Sequence, residues 1–232
     1  FLQYGLRLKE REEYGLQAVD MGNVFHDALK YFSDKIETSE YDWFHVPEEK
    51  RTAWMEEALE HALQICAEKG LGEEATDAYT MERMKRIGQR TAWALMEQLR
   101  KGNFAPEKTE VSFRNLEQLP SVSVLLSEDE RMRLKGRIDR VDICREQGNV
   151  YVRVYYGLQL QLAVYLNAAM DMESREGGEV HPAGMFYYHI EDPMLDYEEE
   201  ENTERRMLKE LAFNGLVNAD PDVVKLMDKE LI

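Results

Sequence analysis

The stretch Leu134-Lys-Gly-Arg-Ile-Asp-Arg-Val-Asp142 decides the fold, because it lies inside a pattern of period two that runs from Arg131 to Cys144. This period is typical of a β-strand whose two faces carry different side chains. One face presents a row of basic residues that ends at Asp139. Charge is uncommon in the middle of a strand, so Asp139 is a candidate site residue beside cations that can hold phosphates. Ion pairs between neighbouring strands are the alternative explanation of the charges, and we interpret Asp142 as the end of the strand.

The segments on either side of this strand show helical and extended patterns. Apolar residues at helical spacing predict helices at Met21–Ile36, 48–69, 74–101, 157–170, 198–214 and beyond Pro221. Alternating residues predict further strands at 109–114, 121–126, 151–154 and 185–190. This order predicts an α/β fold. We divide it into a helical region 1–106, a sheet core 107–195 and a C-terminal helical extension 196–232.

Composition narrows the class of protein. Hydrophobic residues make up 44% of the chain and charged residues 32%, which is typical of a globular domain, and no apolar run reaches the ~20 residues that span a bilayer. The net charge of −17 argues against wrapping of nucleic acid by overall charge. Cys66 and Cys144 lie far apart, so we expect buried thiols in a reducing, cytoplasmic setting. Because the chain begins at Phe1 without a methionine or a secretory signal, we expect a fragment of a larger protein.

The junction after Val154 breaks a rule of chain connection. Val154 ends a predicted strand and Tyr155 begins a predicted helix, with no turn residue between them. Connections between a strand and a helix usually need ~2–6 residues. We therefore expect that residues are missing between Val154 and Tyr155.

Two predicted helices carry further candidate residues. His26 lies at the edge of an apolar stripe, and Gly22, one turn earlier, leaves open space over it. Gln161 and Tyr165 lie four residues apart on one helix face and can hydrogen-bond phosphate, a lysine or each other. A structural role is the alternative for each of these residues. A group of tyrosines can either stack on DNA bases or fill the core and rim of the sheet. These are Tyr155, Tyr156, Tyr187 and Tyr188.

Three motifs in order resemble a known family. Three segments are similar to the motifs of RecB-type nucleases of the PD-(D/E)XK superfamily. They are Gly22-Asn-Val-Phe-His26, Gly136-Arg-Ile-Asp-Arg-Val-Asp142 and Gln161-Leu-Ala-Val-Tyr165. The resemblance covers most of the chain, and the motif sequences are most similar to those in the nuclease domain of the B subunits of AddAB helicase–deoxyribonucleases. It implies a PD-(D/E)XK core, in which helices flank a mixed central sheet.

For the site, the resemblance implies a DNA exonuclease that depends on Mg²⁺ or Mn²⁺ and hydrolyses phosphodiester bonds. His26 and Asp139 would be the metal ligands and catalytic residues. Gln161 and Tyr165 would support them in catalysis. The family also has an Asp-Tyr-Lys tripeptide, which belongs just after Val154 and does not occur there. The chain therefore holds half a site, and we expect it to be inactive although the intact protein is active.

The resemblance implies partners as well. These are single-stranded or unwound DNA, met during double-strand break processing and recombinational repair, and an AddA-like helicase–nuclease subunit. Arg137 and Arg140 would contact the DNA phosphates. The full-length family carries an iron–sulfur cluster, but its four cysteines would lie outside this fragment. No membrane partner is expected.

Two other interpretations stay open. The domain can be a catalytically inactive nuclease-fold scaffold that binds DNA or a helicase partner, and this interpretation gains if Val154 and Tyr155 are true neighbours. A stand-alone CRISPR-type or phage nuclease of the same superfamily differs mainly in its partner.

Overall fold

The N-terminal half of the domain is a bundle of three helices. The structure, a computed structural model, describes residues 18–68, 78–112, 123–125, 131–133, 137–155, 159–195 and 203–230. Helices α1 (Ala18–Glu37), α2 (Glu48–Glu68) and α3 (Ala78–Lys101) match the three predicted segments to within a few residues. None of the helices in these described ranges is both long enough and apolar enough to pass through a bilayer.

One apolar stripe on each helix forms the core of the bundle. On α1 the stripe includes Val24, Ala28 and Phe32, none of which has any exposed surface. It packs against Met55 and Leu59 of α2, which are 1% exposed, and against residues of α3 in the same core. Burying a side chain of this size stabilises the fold by about 1.5–3 kcal/mol. The packing of the bundle therefore fixes the position of α1 and of its polar face.

The C-terminal half is built on a mixed five-stranded sheet. Its strands are β1 (Ala105–Ser112), β4 (Arg137–Glu146), β5 (Asn149–Tyr155), β6 (Glu179–Tyr187) and β7 (Asn214–Val217), in that spatial order. β5 and β6 run parallel and the other pairs are antiparallel. Two short strands, β2 (Ser123–Leu125) and β3 (Arg131–Arg133), pair apart from this sheet. The mixed sheet flanked by helices confirms the predicted α/β fold class.

Helices cover both faces of the sheet. α4 (Gln159–Glu176) connects the parallel strands, as such a pair requires, and buries one face through an apolar core that includes Val141, Val152 and Leu166. On the other face, Cys144 and Phe104 pack against α6 (Pro221–Met227). The remaining helix, α5 (Thr203–Glu210), lies between β6 and β7 in the chain.

The interpretation of Asp142 as the end of the central strand was wrong. β4 runs four residues beyond Asp142, and Asp142 has no exposed surface. A carboxylate can lie in the middle of a buried strand only when cations pair with it, and Arg140 and Arg153 do so here. The predicted strand 131–144 is described as β3 and β4, and residues 134–136 fall outside the described ranges.

The prediction that a helix begins at Tyr155 was wrong, and the argument from loop length fails with it, whereas a missing segment after Val154 stays a prediction. Tyr155 belongs to β5, where it pairs with Arg140 of β4 and Phe186 of β6. Three residues, 156–158, therefore separate β5 from α4, which is within the usual ~2–6. The strand continues because a tyrosine is as good a strand residue as the valines before it.

One strand was not predicted. β7 lies in the stretch 196–232 that we assigned to helices, and all four of its residues are exposed. An exposed strand shows no alternation of apolar and polar residues, so its sequence carried no period-two signal. The division of the chain into three regions stays a prediction, but the last region also contributes to the sheet.

Candidate active site

The fold brings together two of the predicted site residues from opposite halves of the chain. Nε2 of His26 on α1 lies 3.2 Å from Oδ1 of Asp139 on β4, across 113 positions of sequence. The two side chains are 26% and 30% exposed, so both are reachable from solvent. Gly22, one turn before His26, has no atom within 4 Å of the place where a Cβ would lie. The space over His26 is open, as the sequence predicted.

A cavity of about 210 Å³ opens beside this pair. It lies where the end of β4 meets α1, and its wall is mainly apolar. His26 and Asp139 form part of the wall. The other lining residues are Gly22, Leu29, Lys30, Ser33, Trp43, Leu95, Thr109, Arg140, Tyr155, Tyr188 and Ile190.

The histidine and the aspartate fit a hard divalent cation as two neighbouring ligands. Adjacent ligands of an octahedral ion at about 2.1 Å lie about 3.0 Å apart, and Nε2 and Oδ1 are separated by 3.2 Å. Mg²⁺ is usually held by one or two carboxylates, while waters and substrate phosphates complete its shell. The pair can therefore hold one ion, with most of its coordination sphere left to water and substrate.

Arg140, which we expected to contact DNA, lies in the cavity wall, but its guanidinium is held by other groups of the protein. Its side chain is 12% exposed, and its Nε lies 2.8 Å from Oδ1 of Asp142. Its guanidinium also stacks over the ring of Tyr155, 4.0 Å from the ring centroid. Burial disfavours a charge on Arg140, but the carboxylate of Asp142 raises the pKa of the guanidinium above its ordinary value. These contacts leave Arg140 little freedom to reach a phosphate.

The other predicted residues are placed less directly. Gln161 belongs to the first turn of α4 and Arg137 begins β4, but the side chains of both lie outside the described residues. Tyr165 is 2% exposed and packs in the core between α4 and the sheet. It is not part of the cavity wall, so any support that it gives to the site comes from packing within this core.

The described part of the candidate site has one acidic residue that could bind a metal ion, Asp139. The last residues of β5 are Arg153, Val154 and Tyr155, of which Tyr155 pairs with Arg140, next to Asp139 in β4. The three residues that follow in the sequence are Tyr-Gly-Leu. Neither supplies a carboxylate or a lysine. Asp142 is occupied by two arginines on the other face of β4.

A second group of acids does not replace the missing ligand. Glu107, Glu173 and Glu176 lie close enough together to surround an ion. Lys108 already pairs with Glu173 and Glu176, and Arg145 pairs with Glu107 and Glu173. We interpret this group as an ion-pair network that fastens β1 and β4 to α4.

Several residues of the cavity wall were not predicted from sequence, and three of them are polar or are held by a clear contact or position. Lys30 is exposed and lies one turn after His26 on α1, so its spacing of four residues was a usable signal. Trp43 lies in the connection between α1 and α2, where no motif pointed to it. Ile190 follows β6 in a segment that Asp192 fastens to α3, because its carboxylate pairs with Arg86 at 2.6 Å and with Arg90.

Comparison with known proteins shows the family to which the chain belongs. The family model of the PD-(D/E)XK nuclease superfamily matches residues 1–229. The chain is 38% identical to the B subunit of the ATP-dependent helicase/deoxyribonuclease of Lachnoclostridium phytofermentans, over 98% of this chain and 20% of that protein. It is 35% identical to the protein of the same name from Alkaliphilus metalliredigens, over 100% of this chain and 22% of that protein. The chain thus spans about a fifth of the length of these relatives. Because the family model covers nearly the whole chain, the chain belongs to the PD-(D/E)XK nuclease superfamily.

Proposed function

We propose that this domain is the metal-dependent DNA exonuclease of a helicase–nuclease complex. It hydrolyses phosphodiester bonds of single-stranded or unwound DNA while double-strand breaks are processed for recombinational repair. The observation that carries the proposal is the pairing of His26 with Asp139 in the wall of an open cavity. Its position on the chain matches the order of the superfamily's motifs.

The metal ion would be Mg²⁺ or Mn²⁺, held by Asp139 and His26. When bound, such an ion lowers the pKa of a water molecule and stabilises charge on the phosphate. Lys30, exposed in the same wall, would attract the phosphate in place of Arg140, whose guanidinium Asp142 holds. Local cations of this kind can act although the chain carries a net charge of −17.

The 232-residue chain by itself carries half of a hydrolytic site. A second carboxylate and a lysine are needed beside Asp139, and β5 offers neither. The match to the Alkaliphilus metalliredigens protein spans 258 positions for the 232 residues of this chain, so about 26 positions (258 − 232) have no counterpart here. We propose that the missing acid and amine belong to such a segment after Val154, that the intact protein is active and that the present chain is not.

The partners follow from the names of the relatives. Two proteins that match this chain along its length are each named as the B subunit of an ATP-dependent helicase/deoxyribonuclease. We propose that this domain likewise works in the cytoplasm next to an AddA-like helicase subunit, which delivers unwound DNA to the cavity.

The test is digestion of single-stranded DNA by the full-length protein with and without Mg²⁺. The intact protein should release nucleotides only with the metal, and Asp139→Ala should lower the rate by at least a hundredfold. Asp171→Ala, which removes a half-buried carboxylate from α4, is the matched control and should keep the wild-type rate. Equal rates for the wild type and Asp139→Ala would remove Asp139 from the chemistry.

A second candidate function is a nuclease-fold scaffold that binds DNA or the helicase without cutting. The spacing between the end of β5 at Tyr155 and the start of α4 at Gln159 favours it, because three residues are enough for such a connection. The gene sequence across Val154 and Tyr155, together with the mass of the purified protein, separates the two. Extra residues at that junction support the nuclease, and direct neighbours support the scaffold.

A further inference from the structure

The cavity beside His26 and Asp139 has polar groups that the metal site does not use. Trp43 is 6% exposed and Tyr155 is 5% exposed, and both line the cavity. The indole N–H of Trp43 is buried and has no hydrogen-bond partner in the described part of the chain. The buried hydroxyl groups of Tyr155 and Tyr188 lie next to Arg140 and Thr91, but without hydrogen-bond alignment. Buried polar groups are nearly always paired. One unpaired indole N–H and two hydroxyl groups without aligned partners, on three residues that line one cavity, therefore indicate a ligand that pairs with them.

The ligand must be larger than a few water molecules and largely apolar. One water needs only ~10–15 Å³ of such space, whereas the cavity offers about 210 Å³. Leu29, Leu95 and Ile190 contribute apolar surface to the wall, which water wets poorly. Burial raises the pKa of both tyrosine hydroxyls, so they stay neutral and can donate hydrogen bonds. A flat apolar molecule with hydrogen-bonding atoms along its edge fits this wall.

The position of the cavity identifies that molecule. His26 and Asp139 belong to the same wall as Trp43, Tyr155 and Tyr188, so a ligand with a phosphate at the pair extends its neighbouring group into the cavity. In a DNA strand that neighbouring group is a base. We propose that the cavity is a nucleobase pocket, which takes up the base of the nucleotide whose phosphate lies at His26 and Asp139. This inference deepens the proposed function and rests on it.

The pocket should accept any base. Its apolar wall makes no distinction between bases, and aromatic contacts with bases are tolerant of sequence. The indole N–H of Trp43 requires an acceptor, which every base has on its edge. The two hydroxyl groups can donate or accept as the base demands. The pocket would thus select for the presence of a base and an unstacked strand, because a paired base cannot enter.

Binding of oligonucleotides with one abasic position tests the pocket. The 232-residue chain is titrated, in Ca²⁺, with labelled thymidine oligonucleotides of one length, each of which lacks one base, and fluorescence anisotropy gives the Kd. The ratio of this Kd to that of the intact oligonucleotide is the abasic penalty. We expect one position with a penalty of about tenfold or more, because contact of one base with an aromatic side chain is worth ~5- to 150-fold in affinity. The other positions should show less than threefold.

Variants connect that penalty to the cavity. Trp43→Phe and Tyr188→Phe keep an aromatic ring and remove one hydrogen-bonding group, and each should lower the penalty by ~2- to 12-fold. Trp54→Phe and Tyr151→Phe make the same chemical changes at half-buried residues outside the cavity wall, and they should leave the penalty unchanged. Circular dichroism of each variant shows whether it folds, and a variant that unfolds is replaced by Ser33→Ala, which changes the wall at a buried serine.

The outcomes separate this inference from the proposed function. Equal penalties at every position, or the same penalty in Trp43→Phe and Trp54→Phe, would overturn the pocket. Asp139→Ala should abolish the Ca²⁺ dependence of binding and keep the abasic penalty, since it removes the ion and not the wall. If the full-length protein fails to digest DNA while the penalty persists, the nuclease proposal fails and the pocket stands as part of a DNA-binding scaffold.

Discussion

The substitution Asp142→Asn tests whether the buried charges of β4 hold the sheet together. Asparagine has nearly the shape of aspartate, so the change removes a charge without opening a cavity. It leaves the guanidinium groups of Arg140 and Arg153 without their carboxylate, and these side chains are 12% and 5% exposed. We expect the variant to fold poorly or to unfold at much lower denaturant concentration.

The contacts set the size of the effect. Oδ2 of Asp142 accepts hydrogen bonds from Nε of Arg153 at 3.0 Å and from Nη2 of Arg140 at 3.1 Å. Two further nitrogens approach the carboxylate at 2.8 and 2.9 Å without hydrogen-bond alignment. Removal of one partner from a buried ion pair typically lowers the free energy of unfolding by ~3–5 kcal/mol. Since domains of this size are stable by only ~5–15 kcal/mol, the loss takes a large share of the total.

Urea denaturation followed by tryptophan fluorescence measures the change. The control is Asp139→Asn, because Asp139 is 30% exposed and its ion pair within the described part of the chain is with His26; its loss should be about 0–1 kcal/mol. Adding Arg153→Met to Asp142→Asn should recover part of the stability, since it removes one of the two unpaired charges. A loss below about 1.5 kcal/mol in Asp142→Asn, or an equal loss in both single variants, would refute the argument that the buried carboxylate is structural.

Four further predictions concern separate parts of the domain. Lys30→Met should weaken binding of single-stranded DNA and reduce the slope of log K against log salt concentration by about 0.7, which salt titration measures. Burial raises the pKa of Cys144 to about 11, so about one thousandth of it is thiolate at pH 8, and iodoacetamide should modify it only as fast as the domain unfolds. Burial opposes the charge of Asp192, but the hydrogen bonds and charges of Arg86 and Arg90 lower the pKa of its carboxyl group. The stability that this carboxylate gives is fully present above the unfolded pKa of ~3.9 and is lost as the pH falls through the lowered folded pKa. The urea midpoints of wild type and Asp192→Asn should therefore differ at neutral pH and approach each other as the solution is made acidic. Gly102→Ala should destabilise, because a Cβ would lie 2.4 Å from two backbone carbonyl oxygens of α6, whereas Gly22→Ala, in open space on α1, should raise stability by about 0.5–1 kcal/mol.

The helices could be predicted from sequence because their apolar stripes are long and regular. α1 begins at Ala18 where we predicted Met21, and α2 ends at Glu68, next to the predicted end at residue 69. The strands were harder. β7 is exposed along its whole length, and Asp142 lies in mid-strand only because two arginines neutralise it. Neither fact is visible in a local pattern, since each depends on how the strands pair in the folded sheet.

For the candidate site, the sequence indicated two residues that the structure brings together, but not the packing around them. His26 and Asp139 lie in ordered motifs, and the structure brings them to 3.2 Å. Arg140 follows Asp139 along β4, and sequence alone gave no sign that a buried partner would draw it inward. Trp43 was missed because a connection between helices carries no periodic signal, although its place in the cavity follows from the packing of α1 on α2.

The outermost strand has a practical effect on work with the isolated polypeptide. Along β7, Leu216 is 65% exposed and Val217 is 46% exposed, and the far side of the strand has no neighbouring strand among the described residues. Such a sheet edge offers unpaired backbone N–H and C=O groups to any other extended segment, and hydrophobic surface lies next to them. At high concentration the polypeptide should therefore associate through the β7 edge. Dilution, or a second polypeptide that covers this edge, should restore the monomer.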